Sequence, residues 1–247
     1  MHKVIKLSLA LILMNSYSNS EAMTQATAPV SGFAHSFMLN NPLPNATITI
    51  LETGEKLRTD SEGRFGPIQY PIGKPITLLF EKFNYKTIQS GTFYVPKEGL
   101  TGPYRNITFQ VPSIEFYYFL KAVVGGKENP NSCHLTSTII AHNKTLNDVP
   151  QGVEGADVTI TPNVNEKPFY FGIFYSGPLK DYTNPFTKGL SKTSEDGGVA
   201  YFNLPPSDKP YTLTARKSGV TFTSVKFMCT KGAFINISPP SGPMAEA

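Results

Sequence analysis

Apolar and polar residues alternate along short stretches of the chain, and a period of two residues predicts β-strands. The clearest stretch is 46–51, where Ile48 and Ile50 alternate with threonines. Further predicted strands in the first half are 30–33, 65–70, 76–82, 92–95 and 106–111. Asn, Gly and Pro residues, which favour turns, separate these stretches. The pattern therefore predicts an all-β protein built of short strands and tight turns.

The same succession of elements occurs twice. In each copy an alternating strand follows an Ala, an acidic turn then closes on Gly, and a Lys-Pro pair leads into another strand. The first copy covers 45–50, 59–65 and 74–80, and the second covers 155–160, 193–199 and 209–215. Two copies predict two small β-domains of the same type in tandem.

The second copy contains an insertion. Ala46 and Ala156 lie 110 positions apart, whereas the turn glycines Gly63 and Gly197 lie 134 apart, and the difference gives 24 additional residues. They fall within 162–192, which holds the candidate partner-binding residues Phe169, Tyr170, Phe171, Phe174, Tyr175, Tyr182 and Phe186. Long surface loops are tolerated at little entropic cost, so these rings are free to bind a partner. The alternative is that they fold over the domain's own sheet as an extra hairpin.

The first residues have the composition of a secretory signal peptide. Lys3 and Lys6 precede an apolar stretch at 7–14, and small residues precede a predicted cleavage site after Ala22. This stretch is about half the ~20 residues that a membrane span needs. The predicted organisation is a signal peptide at 1–22, a first domain at 29–112, an inter-domain segment and linker at 113–131, a second domain at 132–240 with the insertion at 162–192, and a tail at 241–247.

Residues 113–124 join the two predicted domains and are almost continuously apolar and aromatic. Ser113 could cap a short helix that Gly125 ends, but β-branched and aromatic residues also suit an extended strand. We favour the strand and keep the helix as the alternative. In either conformation one side of the segment has to be covered by protein, most simply at the joint between the domains.

Cys133 and Cys229 are the two cysteines of the chain, and both belong to the second domain. An even number of cysteines in an oxidising compartment favours a disulfide, here between the first strand of the domain and its last. Closing a loop of nearly a hundred residues would stabilise the domain by at most about 4–5 kcal/mol. The alternative is two buried free thiols, or a metal pair near His134.

The charge of the chain argues against one class of partner. The sequence has 22 Lys and Arg against 18 Asp and Glu, a net charge of +4, and loss of Lys3, Lys6 and Glu21 with the signal peptide would lower it to +3. The basic residues are scattered rather than arranged in a stripe that follows phosphates, so no nucleic acid is expected. No other stretch is long and apolar enough to span a membrane, so we expect a secreted or periplasmic protein.

The repeated motifs resemble those of carboxypeptidase regulatory-like domains, also called transthyretin-like or prealbumin-like domains, and of the related Cna-B repeats. The first domain carries them at Val30-Ser31-Gly32, Pro44-Asn45-Ala46, Thr59-Asp60 with Gly63 and Phe65, and Pro71 with Gly73. The second domain matches in part, because Glu154 stands in place of the Pro and Gly198-Val199 in place of Arg64-Phe65. The resemblance implies two tandem Greek-key antiparallel β-sandwiches of seven strands each, used as accessory, adhesive or ligand-binding modules, and it indicates a bacterial source. The Tyr-Arg-Gly-Ser ending of the hydrolase branch is absent.

Candidates for catalysis or metal binding are few. A catalytic triad needs a His beside a nucleophile and an acid, and no Gly-x-Ser-x-Gly motif occurs. Cys133 and His134 are adjacent and would point to opposite faces of a strand. His134 and His142 would lie about 26 Å apart on one strand, too far to share an ion. His35 with Met38 is the other possible pair of metal ligands, and we expect solvated histidines instead.

The acidic turns at 60–62 and 195–196 lack the graded oxygen ligands of a calcium loop. We therefore expect no enzyme, no metal site and no cofactor. The sequence predicts a secreted or periplasmic binding or adhesion-type protein that recognises a protein or glycan through loops of two β-sandwiches. The first alternative is a structural spacer or assembly component of the cell envelope. The second is a metal-carrying accessory protein or small hydrolase.

Overall fold

The computed structural model describes residues 25–37, 39–124, 128–173, 175 and 189–247, which form fourteen strands and one helix. Unit one comprises β1 (Thr27–Ser36), β2 (Thr47–Ile50), β3 (Lys56–Arg58), β4 (Arg64–Pro71), β5 (Pro75–Glu81), β6 (Ile88–Tyr94) and β7 (Ile107–Val111). The helix α1 covers Ile114–Val124. Unit two comprises β8 (Cys133–Thr138), β9 (Asp157–Thr161), β10 (Phe169–Phe171), β11 (Gly198–Leu204), β12 (Tyr211–Arg216), β13 (Val225–Phe227) and β14 (Phe234–Ile237).

Each unit is a sandwich of two sheets. In unit one, one sheet has the order β4–β1–β7 and the other β3–β2–β5–β6. In unit two, one layer has the order β10–β11–β8–β14 and the other β9–β12–β13, and pairing through β6 joins both to β3–β2–β5–β6 in one hydrogen-bonded sheet of eleven strands. The chain crosses repeatedly between the two sheets of a unit, as in a Greek key. The predicted fold class of two tandem β-sandwiches is therefore confirmed.

One detail differs from a purely antiparallel sandwich. The first strand of each unit pairs in parallel with the last, so that Gly32 of β1 lies opposite Ile107 of β7, and Leu135 of β8 opposite Ile235 of β14. Parallel neighbours need a crossover connection of a dozen or more residues. In unit one the chain from the end of β1 to the start of β7, which includes β2 to β6, supplies this connection.

Each unit also has its own hydrophobic core. In unit one alternate residues of β1 point inwards, and Phe80 and Phe109 meet at the centre with ring centroids 5.7 Å apart. In unit two Tyr211 and Phe227 stack with centroids 5.5 Å apart beside Leu135. In β1 every second residue thus faces the core, as the period-two pattern of the sequence predicts.

A buried threonine ties strands together in the same way in both units. Thr59 Oγ1 accepts the N–H of Ala46 at 2.8 Å and donates to a backbone carbonyl at 2.6 Å. Thr193 Oγ1 accepts the N–H of Ala156 at 2.8 Å and donates to a backbone carbonyl at 2.6 Å. The equivalent hydrogen bonds at equivalent motif positions show that the sequence repeat is also a structural repeat.

The acidic turns repeat as well. Gly63 and Gly197 both have a φ of +72°, a conformation that favours glycine. A Cβ atom would lie 2.5 Å from the carbonyl oxygen of Ala34 at Gly63, and 2.2 Å from that of Ile139 at Gly197. The glycines therefore allow the turn to pack directly against the first strand of each unit.

Residues 114–124 form a helix, so the favoured prediction of a strand is wrong. Ser113 Oγ accepts the N–H of Phe116 at 3.2 Å, as the alternative predicted. The helical spacing of three brings the rings of Phe116 and Phe119 to 5.8 Å from each other and turns Tyr117 into the protein. Among the described residues, no helix is long and apolar enough to cross a membrane.

Cys133 and Cys229 form the predicted disulfide, at a sequence separation of 96 residues. Cys133 is the first residue of β8, but Cys229 lies between β13 and β14 rather than in the last strand. The expected link between first and last strands is therefore wrong in this respect. Because β8 and β13 belong to different layers of the sandwich, the bond ties the two layers of unit two together.

Strand β6 belongs to both units. One of its edges pairs with β5 of unit one. At the other edge Gln89 lies opposite Ile235 of β14, and Thr92 lies opposite Lys226 of β13. Since β13 and β14 are edge strands of the two different sheets of unit two, β6 closes one open side of that sandwich. The repeat predicts the two sandwiches but not this shared strand.

The side chains of β6 fit this double role. Gln89 and Thr92 are buried, although both are polar. The Gln89 amide donates to the carbonyl of Met228 at 2.8 Å, and the hydroxyls of Thr92 and Thr77 are 2.8 Å apart. A Cβ atom on Gly91 would lie 3.3 Å from a backbone oxygen of β13. Gln89 and Thr92 thus each have a hydrogen-bond partner, and the glycine permits the close approach.

The repeated threonine provides a test of the fold. Replacement of Thr59 or Thr193 by Val keeps the shape but leaves a buried N–H and a buried carbonyl without their partner, so we expect each variant to lose about 1–3 kcal/mol of unfolding free energy. Thr221→Val, at an exposed position, is the control and should change it by less than about 0.5 kcal/mol. Urea denaturation followed by circular dichroism measures all three. Equal stability of the three variants would contradict the assigned role.

Candidate functional site

The aromatic insertion begins as an additional strand of its own domain. Phe169, Tyr170 and Phe171 form β10, which pairs with β11 so that Phe171 lies opposite Gly198. The start of the insertion thus packs on unit two, as the alternative interpretation predicted. Tyr175 follows and is 40% exposed. The remaining candidates, Phe174, Tyr182 and Phe186, lie outside the described residues.

Tyr170 is not a surface residue, which corrects its place among the partner-binding candidates. It is 5% exposed, and its hydroxyl accepts the N–H of Val158 at 2.9 Å. The hydroxyl of Tyr201 donates to the carbonyl of Val158 at 2.8 Å. In unit one β2 has β3 as a second neighbour, whereas β9 has no second strand neighbour among the described residues. The two tyrosine hydroxyls satisfy backbone groups of β9 that a further strand would otherwise pair with.

Half-buried residues of β10 line a cavity at the junction of the two units. Its volume is about 370 Å³. The outer face of the sheet β10–β11–β8–β14 forms one side, and α1 with the end of β7 forms the other. Ligand pockets usually have volumes of about 300–1,000 Å³ and lie at domain interfaces, so this cavity is the candidate functional site.

Small residues form the floor of the cavity. Gly198 lies in register between Phe171 of β10 and Thr138 of β8. Two residues further along β11, Ala200 lies between Phe169 and Thr136. A Cβ atom on Gly198 would lie 2.7 Å from a ring atom of Phe171. Only glycine therefore leaves room for this ring to lie across the neighbouring strand.

The sheet that forms one side of the cavity has two regions of different chemistry. On β10 and β11, Phe169 and Phe202 meet edge to face with ring centroids 6.2 Å apart. Further across the same sheet, Thr136 and Asn236 lie opposite each other on β8 and β14. The amide of Asn236 donates to the carbonyl of Gln110 in unit one at 2.8 Å. The cavity is thus lined by aromatic rings and, beside them on the same sheet, by hydroxyl and amide groups.

Two carboxylates hold the aromatic end of the cavity. Asp196 accepts the N–H of Ile173 at 2.7 Å and the hydroxyl of Tyr175 at 2.9 Å, while Glu195 accepts the N–H of Tyr175. Burial, and then the hydrogen bond to Asp196, raise the pKa of Tyr175 to about 12. In unit one the turn carboxylate of Asp60 instead accepts N–H groups of its own turn. In unit two the acidic turn therefore positions the segment after β10.

A charged cluster forms the opposite end. Glu128 accepts the hydroxyl of Tyr117 and pairs with Lys121 at 2.8 Å. Lys86, from the β5–β6 connection of unit one, lies 4.3 Å from the centre of the Tyr117 ring. Burial lowers the pKa of Lys86, against the effect of Glu128, and burial raises the pKa of Glu128, against the effect of Lys86. The junction thus brings side chains of unit one, α1 and the following segment into one electrostatic cluster.

The charges of this cluster affect the pKa of His134 on β8. This histidine is 5% exposed, and its Nδ1 accepts the N–H of Asn203 at 3.2 Å, which fixes the other ring nitrogen as the protonated one. Burial lowers the pKa of His134 most, and Lys86 and Lys121 lower it further. A histidine of unit two is therefore coupled to a lysine of unit one.

The three histidines that the structure describes, His35, His134 and His142, do not come together as a metal site. His142 lies beyond Thr138, where β8 ends, so the premise that it shares a strand with His134 is wrong. Its Nδ1 lies 3.1 Å from the carbonyl oxygen of Ala245, and His35 Nδ1 lies 2.9 Å from Asn40 Oδ1. Within the described residues, no group of three or more His, Cys, Asp or Glu side chains could hold a metal ion.

Sequence reasoning missed most of the cavity. Gln110, Tyr117, Thr136, Phe202 and Phe234 line it but were not singled out. The one signal that pointed to it was the aromatic character of the joint segment, which we expected to be covered at the junction. The residues from the sheets could not be found in this way, because their common face depends on the register of four strands.

Comparisons with known proteins give distant likenesses only. No family model matches the chain, and no curated protein matches it. Among solved structures, the TIE protein of Bacillus anthracis is 17% identical with a TM-score of 0.26, over 86% of this chain and 34% of that one, so this chain spans about a third of its length.

Two pilins are also similar. The shaft pilin SpaA of Lactobacillus rhamnosus GG is 12% identical with a TM-score of 0.26, over 90% of this chain and 99% of that one. The minor pilin of Streptococcus agalactiae is 10% identical with a TM-score of 0.28, over 88% and 97%. The function of this chain has to be argued from its own residues, and membership of the carboxypeptidase regulatory-like family stays a prediction.

The coupling between Lys86 and His134 tests the docking of the two units. Lys86→Met removes a positive charge that lowers the pKa of His134, so the pKa should rise, yet remain below 6.5 because burial is the larger cause. A pH titration of the imidazole resonances by NMR measures it. Lys97→Met, an exposed lysine of unit one, is the matched control and should leave the value unchanged. An unchanged His134 pKa in Lys86→Met would show that the units are not docked in this way.

Proposed function

We propose that this protein is an extracytoplasmic structural module whose two β-sandwiches form one rigid body, and that it serves as a spacer or assembly component of the cell envelope. The observation that carries the proposal is the double pairing of β6, with β5 on one edge and with β13 and β14 on the other. Domains joined by a flexible linker normally move relative to each other. A strand shared by two sandwiches opposes such movement, because rotation would break backbone hydrogen bonds.

Contacts between side chains support the same conclusion. Phe93 of β6 packs against the cores of both units. Hydrogen bonds that cross the junction join Gln89 to Met228 at 2.8 Å, Asn236 to Gln110 at 2.8 Å, Ser241 to Asn106 at 3.2 Å and Asn40 to Asn147 at 3.0 Å. A buried bond of this kind contributes on the order of 1 kcal/mol and the exposed Asn40–Asn147 bond less, so these bonds act together against separation of the two units.

The proposed location rests on the disulfide. Bonds such as Cys133–Cys229 persist in oxidising compartments and are rare in the cytosol. The predicted signal peptide at 1–22 and the predicted domains at 29–112 and 132–240 belong to the same proposal. Recognition of a partner is a second candidate function, favoured by the junction cavity.

Rigidity at the junction can be measured with spin labels. We expect nitroxides on Lys56→Cys and Lys217→Cys, two exposed positions in different units, to give one narrow distance distribution in double electron–electron resonance. The double variant Gln89→Ala/Asn236→Ala removes two hydrogen bonds across the junction and should broaden the distribution.

Gln69→Ala is the matched control for this experiment, because Gln69 is exposed on β4 of unit one. It should leave the distribution narrow. A broad distance distribution in the otherwise unmodified protein would rule out a spacer of fixed geometry. The proposed function would then be wrong even if the protein is extracytoplasmic and carries the disulfide.

A further inference from the structure

The geometry points to a further site: we propose that the junction cavity binds one or two sugar residues of a neutral glycan. A pyranose ring has an apolar face of C–H groups and a periphery of hydroxyls that both donate and accept hydrogen bonds. The lining of the cavity combines aromatic rings, among them Phe169 and Phe171, with hydroxyl and amide groups, among them Thr138 and Gln110. This proposal goes beyond the structural role, which does not require a ligand.

The aromatic platform is fixed in place before any ligand arrives. The ring of Phe171 lies over Gly198, and Phe169 is held edge to face against Phe202. Asp196 holds the following segment through the N–H of Ile173. A preformed aromatic surface binds an apolar face with little loss of side-chain entropy.

The polar side of the cavity has groups available for hydroxyls. Within the described part of the chain, the side chains of Gln110, Gln151 and Thr138 line the cavity and make no hydrogen bond. Two amides and a hydroxyl supply donors and acceptors at the same time. This mixture matches sugar hydroxyls better than it matches a purely apolar ligand.

The charged groups around the cavity indicate a neutral ligand. Lys121 and Glu128 pair with each other at 2.8 Å, and Asp196 already accepts hydrogen bonds from Ile173 and Tyr175. An anionic sugar would find Lys121 already paired and would be repelled by the carboxylate of Asp196. The volume of about 370 Å³ lies near the lower end of the ligand-pocket range of about 300–1,000 Å³, which limits the site to a short segment of a glycan. Since the chain has no Trp, the rings are Phe and Tyr, and we expect weak, millimolar affinity.

Binding can be tested on the full chain with maltotriose, cellotriose and chitotriose as probes. Saturation-transfer difference NMR should show transfer to the ring protons of at least one trisaccharide, and shift titration gives its Kd. Phe171→Ala should raise that Kd about fivefold or more, because it removes an aromatic contact. Gln110→Ala, which is on the other side of the cavity and outside the strand β10, should weaken binding about as much.

Two matched controls separate the site from the rest of the surface. Phe83→Ala removes a ring that is 88% exposed on unit one, and Gln69→Ala removes an exposed amide. Both should bind the trisaccharide like the unmodified protein. The proposal is overturned if none of the three sugars binds, if Phe171→Ala and Gln110→Ala bind as well as the controls, or if a blocked Val-Phe-Val peptide binds in the cavity while the sugars do not.

Discussion

The structure depends on the second edge of β6. A strand at the edge of a sandwich carries unpaired N–H and carbonyl groups, and in this protein unit two supplies their partners from both of its sheets. Burial of Gln89 and Thr92 follows from this pairing, and a side chain at Gly91 would be in tight contact with β13. The shared edge joins two similar sandwiches through backbone pairing, and Phe93 of β6 packs against both cores.

The arrangement of the remaining junction follows from the same constraint. With β6 held between β13 and β14, the end of β7 and the helix α1 face the outer surface of the second unit's sheet. Tyr117 and Lys86 then meet Phe234 of β14, with Lys86 5.7 Å from the centre of that ring. The cavity is the space that remains between α1 and the small residues Gly198 and Ala200. The packing that joins the two units thus also forms the candidate binding site.

Local chemistry could be predicted from the sequence, and long-range pairing could not. The turns at Gly63 and Gly197 and the alternating strands follow from residues close in sequence, and the disulfide follows from cysteine number and compartment. The strand predicted at 114–124 is wrong because the local signals conflict: aromatic residues suit a strand, whereas the Ser113 cap suits a helix. The helix buries Tyr117 against the rest of the protein, a contact that local sequence does not show. Gln89 and Thr92 are polar, and nothing near them in the sequence indicates burial. Only the position of unit two shows why they are buried. Tyr170 was misplaced for a similar reason, because its partner Val158 is a backbone group of another strand.

Residual dipolar couplings test most directly whether the two units form one body. Backbone N–H couplings would be measured for strands of both units in a single aligned sample. If β6 is shared as described, one alignment tensor fits the couplings of both units with the same magnitude and orientation. Two tensors of different magnitude, one for each unit, would show that the sandwiches move independently and would contradict the account.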